Sequence, residues 1–161
     1  MKPMWENWKP ARLKEVLNNK STVMKKSFII DIISFLFIVL FLYTGINKLM
    51  DFTVFKYQIA ESPVLAPVAW WIAWLIPAAE FLVSGLLLVS GWRLKGLYAS
   101  LILMVSFTGY IILIMSLSKD LPCSCGGVIA LLSWKQHLLF NGVFILLAVT
   151  GIILQRNRTV V

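Results

Sequence analysis

A chain of 161 residues that is 60% apolar and only 14% charged lies far from the roughly 45–50% apolar and ~25% charged make-up of soluble domains. Its mean hydropathy of +0.86 points the same way, and since four spans of about 20 residues would take half the length, one membrane domain is predicted without a separate soluble module. The net charge of +8 does not indicate nucleic acid, because the lysines and arginines fall between apolar runs instead of along one polar face.

Residues 1–27 form a basic arm that carries seven of the fifteen lysines and arginines: Lys2, Lys9, Arg12, Lys14, Lys20, Lys25 and Lys26. Trp5, Trp8, Leu13, Val16 and Leu17 recur near helical spacing, so the arm suits either anionic headgroups or a solvated tail. No small-x-small cleavage site follows the first apolar run, and that run is expected to stay as an anchor. It spans about residues 28–44, with Asp31 placed at interface depth beside Lys25 and Lys26. A short amphipathic segment follows, from Gly45 to about Ala60, in which Ile46, Leu49, Met50, Val54 and Phe55 share a face and Lys48, Asp51 and Lys56 lie elsewhere. Ser62-Pro63 and Ala66-Pro67 end it, since a residue before proline leaves the α region.

The second span, about residues 68–90, opens on Trp70, Trp71 and Trp74, an interfacial aromatic belt. Pro77 interrupts its hydrogen bonding, and Glu80 falls about 18 Å from Val68, near the centre of a ~30 Å core. An ionised side chain there costs about 2.5 kcal/mol or more, so Glu80 must face the bundle interior with a partner or be protonated. After the basic turn at Arg93 and Lys95, the third span covers about 97–118, and Ala99, Ser100, Ser106, Thr108 and Gly109 offer small positions for close helix approach. Tyr110 supplies a polar handle. The fourth span, about 138–154, is aliphatic except for Asn141 and its glycines, and residues 156–161 form a basic tail.

Between the last two spans lies Leu121-Pro122-Cys123-Ser124-Cys125-Gly126-Gly127, with the chain's two cysteines. Proline before them and glycines after them make this a loop. Their spacing argues for redox chemistry over buried filler. Eleven basic residues in the arm, the second turn and the tail oppose four, Lys48, Lys56, Lys119 and Lys135, at the other ends. The positive-inside rule therefore predicts an all-α, integral membrane four-helix bundle with both termini cytoplasmic and the cysteine loop on the outer face, where disulfides persist.

Gly45-Ile46-Asn47-Lys48-Leu49 after the first span resembles the signature of the DoxX-like membrane proteins, and Glu80 to Gly91, with Pro77 before and Arg93 after, resembles the same family. Cys-x-Cys-Gly ahead of the last helix is similar to its MauE, methylamine-utilisation branch. The resemblance covers roughly Phe28 to Leu154 and implies a multi-pass protein of a bacterial inner membrane that supports the maturation or redox state of an exported partner. In that branch the partner is a disulfide-rich subunit of methylamine dehydrogenase. A looser similarity joins it to quinone-coupled bundles of the vitamin K epoxide reductase type. Those use C-x-x-C and a second cysteine pair, both missing from this chain, which excludes an internal relay and counts against a quinone site.

A disulfide across one intervening residue brings its Cα atoms into the usual ~4.4–6.8 Å range only if Ser124 turns, and the strain favours easy reduction over a stapling role. Metal binding by Cys123, Cys125 and His137 competes, although three ligands leave a tetrahedral site one short. No phosphate loop, hydrolase elbow or paired carboxylates appear, and no cofactor is called for. Two readings stay open. In one, Cys123 and Cys125 act as the catalytic pair of a thiol–disulfide oxidoreductase, exchanging with an exported thiol- or disulfide-containing protein such as a thioredoxin-like one, while Glu80 organises the bundle interior. In the other, the cysteines are structural and the chain is a non-catalytic assembly scaffold. Membrane lipids are partners in either case, and nucleic acid in neither.

Overall fold

The computed structural model describes residues 8–62, 64–117 and 134–159, and every regular element among them is helical. Five α-helices follow in order: α1 (Trp8–Met50), α2 (Phe52–Ala60), α3 (Ala69–Leu88), α4 (Arg93–Leu117) and α5 (Trp134–Thr159). Four of them are long and apolar enough to cross a membrane, over Met24–Met50, Ala66–Leu88, Arg93–Ser116 and Lys135–Asn157. The chain is an integral membrane four-helix bundle. Helix α1 runs for 43 residues, about 65 Å at the α-helical rise and twice a ~30 Å hydrocarbon core, so its amino-terminal turns extend past the bilayer.

Burial follows helical periodicity because a span has one face toward its neighbours and the rest toward lipid. Ile33, Phe37 and Phe41 of α1 meet Val83 and Leu87 of α3, Leu97 and Met104 of α4, and Ala148 and Ile152 of α5 in one core. Phe37 stacks on Phe41 at 5.7 Å and takes the edge of Phe144 at 5.2 Å between ring centroids. Outside, Phe35, Leu82, Ile102 and Leu139 are all more than 60% exposed. A surface so apolar suits hydrocarbon, and association of such helices then rests on packing and polar contacts more than on a hydrophobic drive.

Packing is closest at glycines other than those expected. A Cβ on Gly96 would come within 3.0 Å of the Leu87 backbone nitrogen, and one on Gly151 within 3.3 Å of Leu97 and Ile33 side chains, whereas Gly109 faces open space. Ser106 and Gly109 are exposed, and of the small positions predicted for α4 it is Ser100 that is fully buried, its hydroxyl donating to the Gly96 carbonyl at 2.8 Å. Small residues can line either side of a helix, and only the tertiary arrangement selects one.

Helices α3 and α4 are joined by a tight turn in which Trp92 N donates to the Val89 carbonyl at 2.9 Å. At this end Arg93 Nη1 lies 2.5 Å from Asp31 Oδ1. Arg93, which opens another helix, reaches Asp31 across the bundle, a partner that the expected neighbourhood of Lys25 and Lys26 did not include. The turn, the carboxy-terminal part of α5 and the amino-terminal part of the first span thus lie toward one end of the bundle, and Lys25, Lys26, Lys95 and Arg156 belong to those helix ends.

The opposite end is built differently. Helix α1 stops at Met50, Asp51 breaks the backbone at φ −105°, ψ 39°, and α2 folds against α3. Phe55, Ile59, Ala69 and Ala73 form a second small core there, with the Phe52 ring 4.6 Å from that of Trp74. A single-turn 3-10 helix, Ala66–Val68, with proline in its first turn, then leads into α3. The buried Ser62 hydroxyl lies 3.4 Å from both Val64 N and Leu65 N and accepts from them, closing the reversal.

Candidate functional site

Glu80 lies in the middle of α3, 1% exposed. Lys48, near the carboxy-terminal end of α1, extends to it, placing Nζ 2.6 Å from Oε1. Thr44, one turn earlier on α1, puts its hydroxyl 3.1 Å from the same oxygen and 3.0 Å from the Leu40 carbonyl, so one proton is shared between two acceptors. Glu80 Oε2 is buried without a hydrogen-bond partner among the described residues.

The local sequence explains the approach. Gly45 lies against α3 with a virtual Cβ 3.2 Å from the Phe81 ring and 3.3 Å from Glu80 Oε2, so a larger residue would have to displace one of these side chains. Pro77, buried one turn before Glu80, withholds the N–H that the Ala73 carbonyl would otherwise accept from. Buried Ser84 donates to the Glu80 carbonyl at 2.9 Å. Gly45, Lys48 and Pro77, chosen from sequence as motif residues, thus gather around the acid.

The amphipathic reading gave Ile46, Leu49, Met50, Val54 and Phe55 one face and placed Lys48 elsewhere; in the structure the first four are exposed, Phe55 is buried apart from them, and Lys48 turns inward, its side chain 12% exposed. In a bilayer the outside is apolar, so the polar side chain faces protein. Two rings flank the ammonium, Phe55 at 5.8 Å and Phe107 at 5.7 Å to their centroids. The pair has no net charge, which is what makes it tolerable at depth.

Lys48 and Glu80 also line a partly open cavity of about 530 Å³ at the α2 end of the bundle. Its walls are mostly apolar, with Phe55, Leu103, Phe107 and Phe140 among them; Thr44 joins the ion pair on the α1 and α3 side, and Tyr110, His137 and Asn141 enter from α4 and α5. His137 and Asn141, one turn apart on α5, share the cavity-facing side of that helix. Asn141 is 4% exposed, and its Nδ2 has no partner among the described residues.

Cys123 and Cys125 lie outside the described residues, and with them any metal set built on His137. Among the described residues no group of three His, Cys, Asp or Glu side chains comes together. Sequence reasoning missed the Lys48 partnership, Thr44, Asn141 and the cavity.

A family model for "Methylamine utilisation protein MauE" matches residues 26–154. The match reaches into all four spans and takes in the cysteine segment. No curated protein and no solved structure matches.

Proposed function

The chain belongs to the MauE family of methylamine-utilisation membrane proteins, and from that premise we propose that it supports disulfide formation or maturation of an exported partner through the Cys-x-Cys on its outer face. The DoxX-like character of the Gly45–Leu49 and Glu80–Gly91 segments belongs to the same reading. One observation carries it. The chain has two cysteines, one residue apart, on the connection between α4 and α5, at the end of the bundle opposite the α3–α4 turn. By the positive-inside rule that end looks out of a bacterial inner membrane.

The chemistry is exchange. A thiolate of the partner attacks the Cys123–Cys125 disulfide, a mixed disulfide forms as one cysteine leaves, and the partner's second thiolate releases it, so the partner gains the disulfide and this chain is left as the dithiol. Glu80 and Lys48 shape the bundle interior beneath.

Trapping tests this. With the exchange run from the oxidised partner, the single thiol left by Cys123→Ser or Cys125→Ser attacks the partner's disulfide and has no second thiol to resolve the product, so a higher-mass band that reductant dissolves should accumulate, while the double substitution should lack it. If oxidised membranes show both thiols free and unreactive by mass spectrometry, the exchange reading fails and a non-catalytic assembly role replaces it.

A further inference from the structure

We propose that the cavity among the five helices binds a neutral, membrane-soluble molecule with a hydrogen-bonding ring head, of the quinone class. Its volume of about 530 Å³ falls in the ~300–1,000 Å³ range of small-molecule sites, and a mostly apolar wall with a few convergent polar groups is their usual make-up. Residues of all four spans line it, and walls this apolar suit ligands that partition into hydrocarbon.

Charge selects the head. The Lys48 ammonium is already neutralised by Glu80 at 2.6 Å, so a carboxylate or phosphate would bring a second negative charge beside a buried one. A neutral head meets no such repulsion. Hydrogen bonding narrows it further. Lys48 has three N–H donors; one is directed to Glu80 Oε1. Asn141 Nδ2 is buried without a partner, and leaving such a donor unpaired costs about 1–3 kcal/mol. A pure hydrocarbon would not satisfy it, whereas a carbonyl oxygen would. Two carbonyls on a flat ring suit donors on α1 and α5 that face a space bounded by Phe55, Phe107 and Phe140. The missing second cysteine pair counted against a quinone that drains an internal relay; the cavity needs no relay, only a ligand within the bundle.

Joined to the thiol exchange proposed above, on which this step alone rests, the ligand is the electron acceptor that restores the disulfide. Cys123 and Cys125 lose two electrons and two protons as the S–S bond forms, and the quinone takes both to become the quinol.

The test is binding, read without turnover and so separable from the mixed-disulfide trap. The purified chain in nanodiscs of synthetic phosphatidylcholine is titrated calorimetrically with a short-tailed ubiquinone analogue. Saturable one-to-one binding above empty nanodiscs is expected. Cavity-filling Leu103→Phe and Ala79→Trp should weaken it at least tenfold and Asn141→Leu roughly tenfold, the loss of one hydrogen bond to a desolvated group. Leu139→Trp, on the lipid-facing side of α5, should bind as wild type. Size-exclusion profiles and helical circular dichroism establish that each variant is folded. Absence of saturable binding, equal binding by both filled variants, or tighter binding of oleate than of the quinone analogue overturns the proposal.

Discussion

Lys48 and Glu80 stand 32 positions apart in the chain and meet with Glu80 fully buried and Lys48 nearly so. Removing one partner strands the other, so Lys48→Met should destabilise the protein by about 3–5 kcal/mol. Lys48→Met combined with Glu80→Leu should recover most of that loss, since a well-packed apolar pair removes the desolvation cost of both charges. Unfolding titrations with a denaturing detergent read both variants, and a Lys48→Met protein as stable as wild type would show that the pair does not support the fold. Glu80→Gln keeps an oxygen for Thr44 and Lys48 and should be tolerated better than Glu80→Leu alone. If Glu80→Gln keeps stability yet abolishes partner trapping, the acid acts through its ionisation. The acid was legible in sequence because a lone carboxyl in an apolar run is conspicuous. Its base was not, because a lysine at the end of a span also fits the interface, and only the inward turn of α1 decides.

Between helices, contact depends on where side chains are missing. At Gly96 an added methyl would press on the Leu87 backbone, which cannot rotate away, whereas at Gly109 it would meet nothing within 4 Å. Gly96→Ala should therefore cost about 1–3 kcal/mol by overpacking, and Gly109→Ala should be neutral or gain up to ~1 kcal/mol from helix propensity. The same unfolding titrations compare them, and equal effects would remove the close α3–α4 approach as a source of stability. The helices themselves were readable as apolar runs bounded by prolines and basic turns. Their facing sides were not: the four spans are apolar nearly all round, so periodicity carries little contrast, and lipid-facing Leu82 differs from buried Val83 only by packing.

For the whole molecule, the Asp31–Arg93 pair marks the end of the bundle where α4 begins, and the cavity lies toward the opposite, α2 end. A membrane-impermeant thiol reagent applied to intact cells after mild reduction should label Cys123 or Cys125; labelling that requires lysis would reverse the orientation and remove the exchange reading. The charge counts give an orientation that this labelling tests, and the cavity was not readable, since its wall is assembled from five helices and no segment of sequence carries its shape. The order of the ion pair along the chain has a further consequence for biogenesis. During synthesis α1 leaves the ribosome before α3, so Lys48 is already at the membrane when the segment bearing Glu80 is handed to the insertion machinery. A carboxyl that would burden a lone span by about 2.5 kcal/mol or more at its centre meets its counter-ion on arrival. Insertion of α3 keeps a reporter in the α3–α4 turn on the cytoplasmic side and unglycosylated, so glycosylation of that reporter should rise when Lys48 is replaced by methionine and fall back when Glu80 is replaced by leucine as well.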